Sequence, residues 1–120
     1  PETGYLLECG SCRWLFPGDI RAHDFDRLPD FGRLNGVFAH LWMGKARALD
    51  EEPPFFHAVC QFFTSFDTPR LVITHLNEFG RDETELWTEG HYEKAKREIE
   101  RLKPGLAVTK AMMGDRVDLD

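Results

Sequence analysis

Long apolar runs are missing from this chain. No stretch approaches the roughly 18 uncharged apolar residues that a membrane-spanning helix requires. No charged segment followed by an apolar core opens the sequence either, and the expectation is a cytoplasmic protein with no membrane contact. Basic residues are in deficit: 15 Lys and Arg stand against 21 Asp and Glu, a formal net charge of −6. That balance argues against a general nucleic-acid binder, whose affinity comes from neutralising phosphates. There are three cysteines, an odd count that argues against a disulfide-built scaffold. Repeats, low-complexity tracts and linker-like segments are absent as well. The 120 residues read as one domain, 1–120, with an acidic end, 114–120, expected to fray. Gly-rich phosphate loops, a nucleophile elbow, an EF-hand loop and a His-x-x-x-His pair are also missing.

What remains is a chain that is 42% hydrophobic and 30% charged, enough apolar material for one core. Tyr5-Leu6-Leu7-Glu8-Cys9 reads as a first strand broken by Gly10-Ser11. Residues 19–28 suit a short helix capped by Asp19. Residues 37–43 alternate as a strand would, while a helix continuing to Leu49 competes with that reading. Residues 55–64, aromatic and β-branched between Pro53-Pro54 and Asp67-Thr68-Pro69, read as a strand. Residues 70–76 read as its hairpin partner across a short Asp/Thr/Pro turn. Residues 91–103 are the clearest helix, with Tyr92, Ala95, Ile99 and Leu102 on one stripe and opposite charges four apart on the other side. Pro104-Gly105 ends it, and residues 106–113 alternate as a last strand. The expected fold is therefore α+β: a mainly antiparallel sheet with a central hairpin and one long C-terminal amphipathic helix.

Several groups of residues could carry chemistry. Cys9-x-x-Cys12 with His57-x-x-Cys60 supplies four soft ligands, the inventory of a closed tetrahedral zinc site. Residues three apart on a strand point to opposite faces, which sets the strand reading of residues 55–64 against a metal shared by His57 and Cys60. Inert cysteines and a redox pair at Cys9 and Cys12 are the other readings, so the cofactor expectation is none, or Zn. Asp82, Glu83 and Glu85 beside Trp87 form an acidic and aromatic stretch suited to a basic partner surface, since complementary charge steers encounter and aromatics supply contact area.

From residue 55 to residue 102 the order strand, turn, strand, Phe-Gly loop, charged helix, with Phe62-Phe63-Thr64, then Arg70-Leu71-Val72-Ile73-Thr74-His75-Leu76-Asn77-Glu78-Phe79, then Arg97-Glu98-Ile99-Glu100, resembles the C-terminal half of HigB/RelE-like toxins. The resemblance implies a compact antiparallel sheet with helices and, in active members, cleavage of ribosome-bound mRNA. Arg81 then falls where the family carries a basic cluster, and His75 and Tyr92 become the acid/base candidates. Asp82 and Glu83 flank Arg81 where a ribonuclease needs further positive charge. Three expectations result: a small acidic regulator, inhibitor or adaptor that binds another protein; a HigB/RelE-like endoribonuclease; or a zinc-stabilised binding module.

Overall fold

The computed structural model describes residues 4–18, 28–41, 55–74 and 89–120. Its elements run β1 (Tyr5–Cys9), β2 (Cys12–Phe16), β3 (Gly36–His40), α1 (Phe55–Thr64), β4 (Arg70–Thr74), α2 (Glu89–Leu102) and β5 (Ala107–Lys110). The five strands form one sheet in sequence order. The α+β class, the strands at Tyr5–Cys9 and Gly36–His40 and the C-terminal amphipathic helix are as expected. Residues 19–27 of the expected helix, and residues 42–49 over which a strand end competed with a helix, lie outside the described residues.

Two expectations are overturned. The sheet is mixed rather than mainly antiparallel: only β1 and β2 pair antiparallel, and β2–β3, β3–β4 and β4–β5 are all parallel. The antiparallel sheet implied by the toxin resemblance is not the one observed. Second, residues 55–64 are a helix, so the expected central hairpin does not exist. The physical reason is the spacing of the buried groups. Val59, Phe62, Phe63 and Phe66 recur at three, four and seven residues and are all buried, while Gln61 is exposed. That stripe lets one helix bury Val59, Phe62 and Phe63 on a single face, with Phe66 continuing it just past the helix end, which outweighs the β preference of the individual aromatics. Thr64 Oγ1 donates back to the Cys60 carbonyl at 2.9 Å, and Ser65 Oγ donates at 2.6 Å to the Phe62 carbonyl, one of the last four of the helix.

Parallel neighbours need a crossover, and α1 supplies it between β3 and β4 and α2 between β4 and β5. Helices α1 and α2 pack on each other and on one face of the sheet, enclosing Leu15, Val37, Ala39, Leu71, Ile73 and Val108 from the strands with Val59, Cys60, Phe62, Phe63, Ala95 and Ile99 from the helices. Ala95 supplies a small residue where helix and sheet crowd. Pro104 follows the last turn of α2, and Gly105 at φ 88° turns the chain into β5.

The other face is narrower and aromatic. Trp14 and Val72 are buried there. Phe16 stacks on Phe38 with ring centroids 4.5 Å apart, and Trp14 tilts against Phe38 at 5.3 Å. The final residues, expected to fray, carry hydrogen bonds to this face: the Leu119 carbonyl accepts from Trp14 Nε1 at 2.7 Å, and the Asp118 carbonyl from Arg70 at 3.1 Å. The Arg70 guanidinium also stands 5.0 Å from the centre of the Trp14 ring.

Candidate functional site

The β1–β2 hairpin is the part of the sheet left most open. Cys9-Gly10-Ser11-Cys12 makes a two-residue turn, with Gly10 at φ 61°, a conformation that hairpin turns of this length require and that L side chains rarely adopt. The register pairs Tyr5 with Phe16, Leu7 with Trp14, Cys9 with Cys12, and, on the opposite face, Leu6 with Leu15 and Glu8 with Arg13. Arg13 fixes the hairpin to the rest of the fold. Its Nε meets Glu8 at 2.9 Å, and its Nη1 donates to the Phe31 carbonyl at 2.7 Å and the Arg33 carbonyl at 3.2 Å. Asn35 continues the ladder, accepting from the Arg13 amide through its side chain and donating its own amide to the Arg13 carbonyl.

β1 is an edge strand, and its other edge has no partner strand among the described residues. Every residue of β1 is exposed, including Tyr5 at 68%, Leu7 at 46% and Leu6 at 36%. Natural edges are usually blunted by lysine, proline or a bulge. β1 carries one charge, Glu8, and that charge is spent on Arg13.

The residues singled out for zinc do not gather. Cys9 is exposed and Cys12 half-buried on the hairpin, while Cys60 lies on the buried face of α1 inside the core. His57 shares α1 with Cys60 but turns to α2, its Nδ1 2.8 Å from Glu98 Oε1. Among the described residues no three His, Cys, Asp or Glu stand where they could hold one metal ion. Burial, with the Glu98 charge adding to it, pushes the Cys60 thiol up to about 12, which makes it a packing group rather than a nucleophile.

The His57–Glu98 contact is half of a small network. Arg101 grips the same carboxylate with two hydrogen bonds, at 2.7 and 2.9 Å, and holds Glu98 down to about 2, with the His57 hydrogen bond acting in the same direction. Among the pairs expected along α2, Lys96 and Glu100 meet at 4.0 Å, whereas Lys94 lies over the Phe56 ring at 5.3 Å. Tyr92, an acid/base candidate from sequence, is buried. Its hydroxyl donates to the Val108 carbonyl at 3.4 Å, and burial raises its pKa, so it is tied into the α2–β5 packing. Lys110 stands 5.1 Å from its ring and pairs with Glu89.

His75, Arg81, Asp82, Glu83, Glu85 and Trp87 lie outside the described residues. Sequence reasoning misses the hairpin, because Gly10-Ser11 reads as a break after the first strand rather than as a turn into a second. The available signal was a Gly-containing two-residue turn between two runs of alternating character.

Comparison with protein-family models, curated proteins and solved structures finds no match to this chain.

Proposed function

We propose that this protein works by binding another protein, as a regulator, inhibitor or adaptor, with the β1 edge as its docking strand. The observation that carries the reading is the row Tyr5, Leu6 and Leu7, exposed on a strand whose outer backbone groups have no partner strand among the described residues. A segment of the partner adds to that edge through main-chain hydrogen bonds. Tyr5 and Leu7 on one face and Leu6 on the other take its alternating side chains. The net charge of −6 favours a partner with a basic surface and speeds encounter at low salt. Asp82, Glu83, Glu85 and Trp87 extend this reading as an acidic and aromatic stretch that adds to the same kind of contact.

Affinity capture with the immobilised protein at low and high ionic strength tests the reading. The expected result is a reproducible, salt-sensitive partner whose capture is lost with Tyr5→Lys plus Leu7→Lys while the circular dichroism spectrum stays unchanged. Capture that survives both substitutions removes β1 from the interaction. Growth arrest with mRNA cleavage on expression, abolished by Arg81→Ala, supports the endoribonuclease reading in its place.

A further inference from the structure

We propose that Cys9 and Cys12 are a thiol–disulfide pair that closes the β1–β2 hairpin, and that only its reduced form fully clasps the C-terminal segment onto the aromatic face of the sheet. The two cysteines are register partners on either side of the two-residue turn, so their side chains leave the sheet on the same face. Directly opposed residues of an antiparallel pair have Cα atoms roughly 4.5–5.5 Å apart, inside the roughly 4.4–6.8 Å span a disulfide accepts. Both thiols are free. Cys9 is exposed and open to attack from solution, while Cys12 is half-buried beside it. Cys60 takes no part, being buried in the core on the far side of the sheet.

The oxidant is a low-molecular-weight disulfide of the glutathione class. The Cys9 thiolate attacks one sulfur of that disulfide and displaces one small thiol. The Cys12 thiolate then attacks the Cys9 sulfur of the mixed disulfide and displaces the second. Two protein thiols give up two protons and two electrons, and one small disulfide becomes two small thiols. The hairpin holds the second thiol next to the first, so closure of the ring outruns accumulation of the mixed disulfide.

The clasp follows from what Cys12 does when reduced. Its Sγ–H donates to the Leu119 carbonyl, the same oxygen that accepts from Trp14 Nε1. A disulfide sulfur has no proton to donate. Oxidation therefore removes one of the donors that hold residues 118–119 against β2 and β4, leaving Trp14 and Arg70 to hold them alone.

The pair is tested on the full chain with oxidised glutathione. Intact mass and a thiol count after denaturation read the chemistry, and the exchange rate of the Trp14 indole N–H, followed by NMR, reads the clasp. One free thiol left of three, a mass lower by two hydrogens and no glutathione adduct are expected. Trp14 indole exchange rises about threefold or more on oxidation. Cys12→Ala shows the fast exchange without oxidant, whereas Cys12→Ser, whose hydroxyl still donates, stays slow with or without it. Cys9→Ser, which keeps the Cys12 donor but cannot form the ring, stays slow under mild oxidation and serves if Cys12→Ala does not fold. Glutathione adducts alone, or three thiols after oxidation, overturn the pair. A complete Cys9–Cys12 disulfide with unchanged Trp14 exchange overturns the clasp. Neither outcome bears on partner binding through β1, which is read by capture.

Discussion

The indole of Trp14 lies over Gly36, its register partner on the neighbouring strand. A Cβ at position 36 would fall 2.1 to 2.6 Å from three carbons of that ring. The bare backbone at Gly36 is what lets an aromatic ring from β2 extend across β3 toward Arg70 on β4. Gly36→Ala is therefore expected to destabilise the fold by about 2–3 kcal/mol, the scale of overpacking a well-filled site. Urea unfolding measures it. A loss below about 0.5 kcal/mol would show that the ring does not sit over Gly36.

Acid stability is the second expectation. Arg101, and after it His57, hold Glu98 down to about 2, well below the ordinary carboxylate range. A depressed carboxylate contributes stability that is present above its unfolded pKa and is lost as pH falls through the folded one. The Glu98 contribution is thus whole above about pH 4.5 and disappears toward pH 2. Solvent reaches Arg101 and His57, so the contribution is about 1 kcal/mol rather than what the full shift would give. Glu98→Gln should lose that amount at neutral pH and show a flatter stability profile between pH 4.5 and 2. An unchanged profile would mean the network contributes nothing.

Removal of residues 116–120 takes away the carbonyls that accept from Trp14 and Arg70. A buried indole N–H left without an acceptor costs about 1–3 kcal/mol. The truncated chain should unfold at correspondingly lower denaturant and show red-shifted Trp14 emission. Equal midpoints for the two chains would place the tail's hydrogen bonds outside the stability of the fold.

Thiol labelling separates the third cysteine from the other two. Cys60 is buried and its thiol pushed up to about 12, so an alkylating reagent should modify Cys9 first and Cys60 only once the protein unfolds. Mass spectrometry of peptides after native and denatured labelling checks this. Native modification of Cys60 at a rate matching Cys9 would contradict the packing of α1.

Much of this fold was legible in the residues, and the failures have physical causes. The stripe of Tyr92, Ala95 and Ile99 marked α2 because the charged residues around it left only one face to bury. Residues 55–64 misled because nearly every residue there is apolar or aromatic, so strand propensity and helical spacing were both satisfied, and only packing against α2 and the sheet decided between them. Sheet direction was invisible for the same reason: with residues 55–64 as a helix rather than a hairpin strand, the chain has the crossover that lets β3 and β4 run parallel. At the candidate site, the exposure of Tyr5, Leu6 and Leu7 follows from β1 standing last in the sheet, a matter of topology rather than of local sequence. The zinc inventory was correct as a count of ligands, but Cys60 and the hairpin cysteines end up on opposite sides of the sheet.

The bond from Trp14 to Leu119 joins positions 105 residues apart. During synthesis the Trp14 indole waits for its acceptor while the residues between the two are translated, several seconds at roughly 5–20 residues per second. In that interval β1, Trp14 and Phe38 together offer a sticky apolar sheet to anything nearby, so the nascent protein is at greatest risk of misassociation until Leu119 arrives.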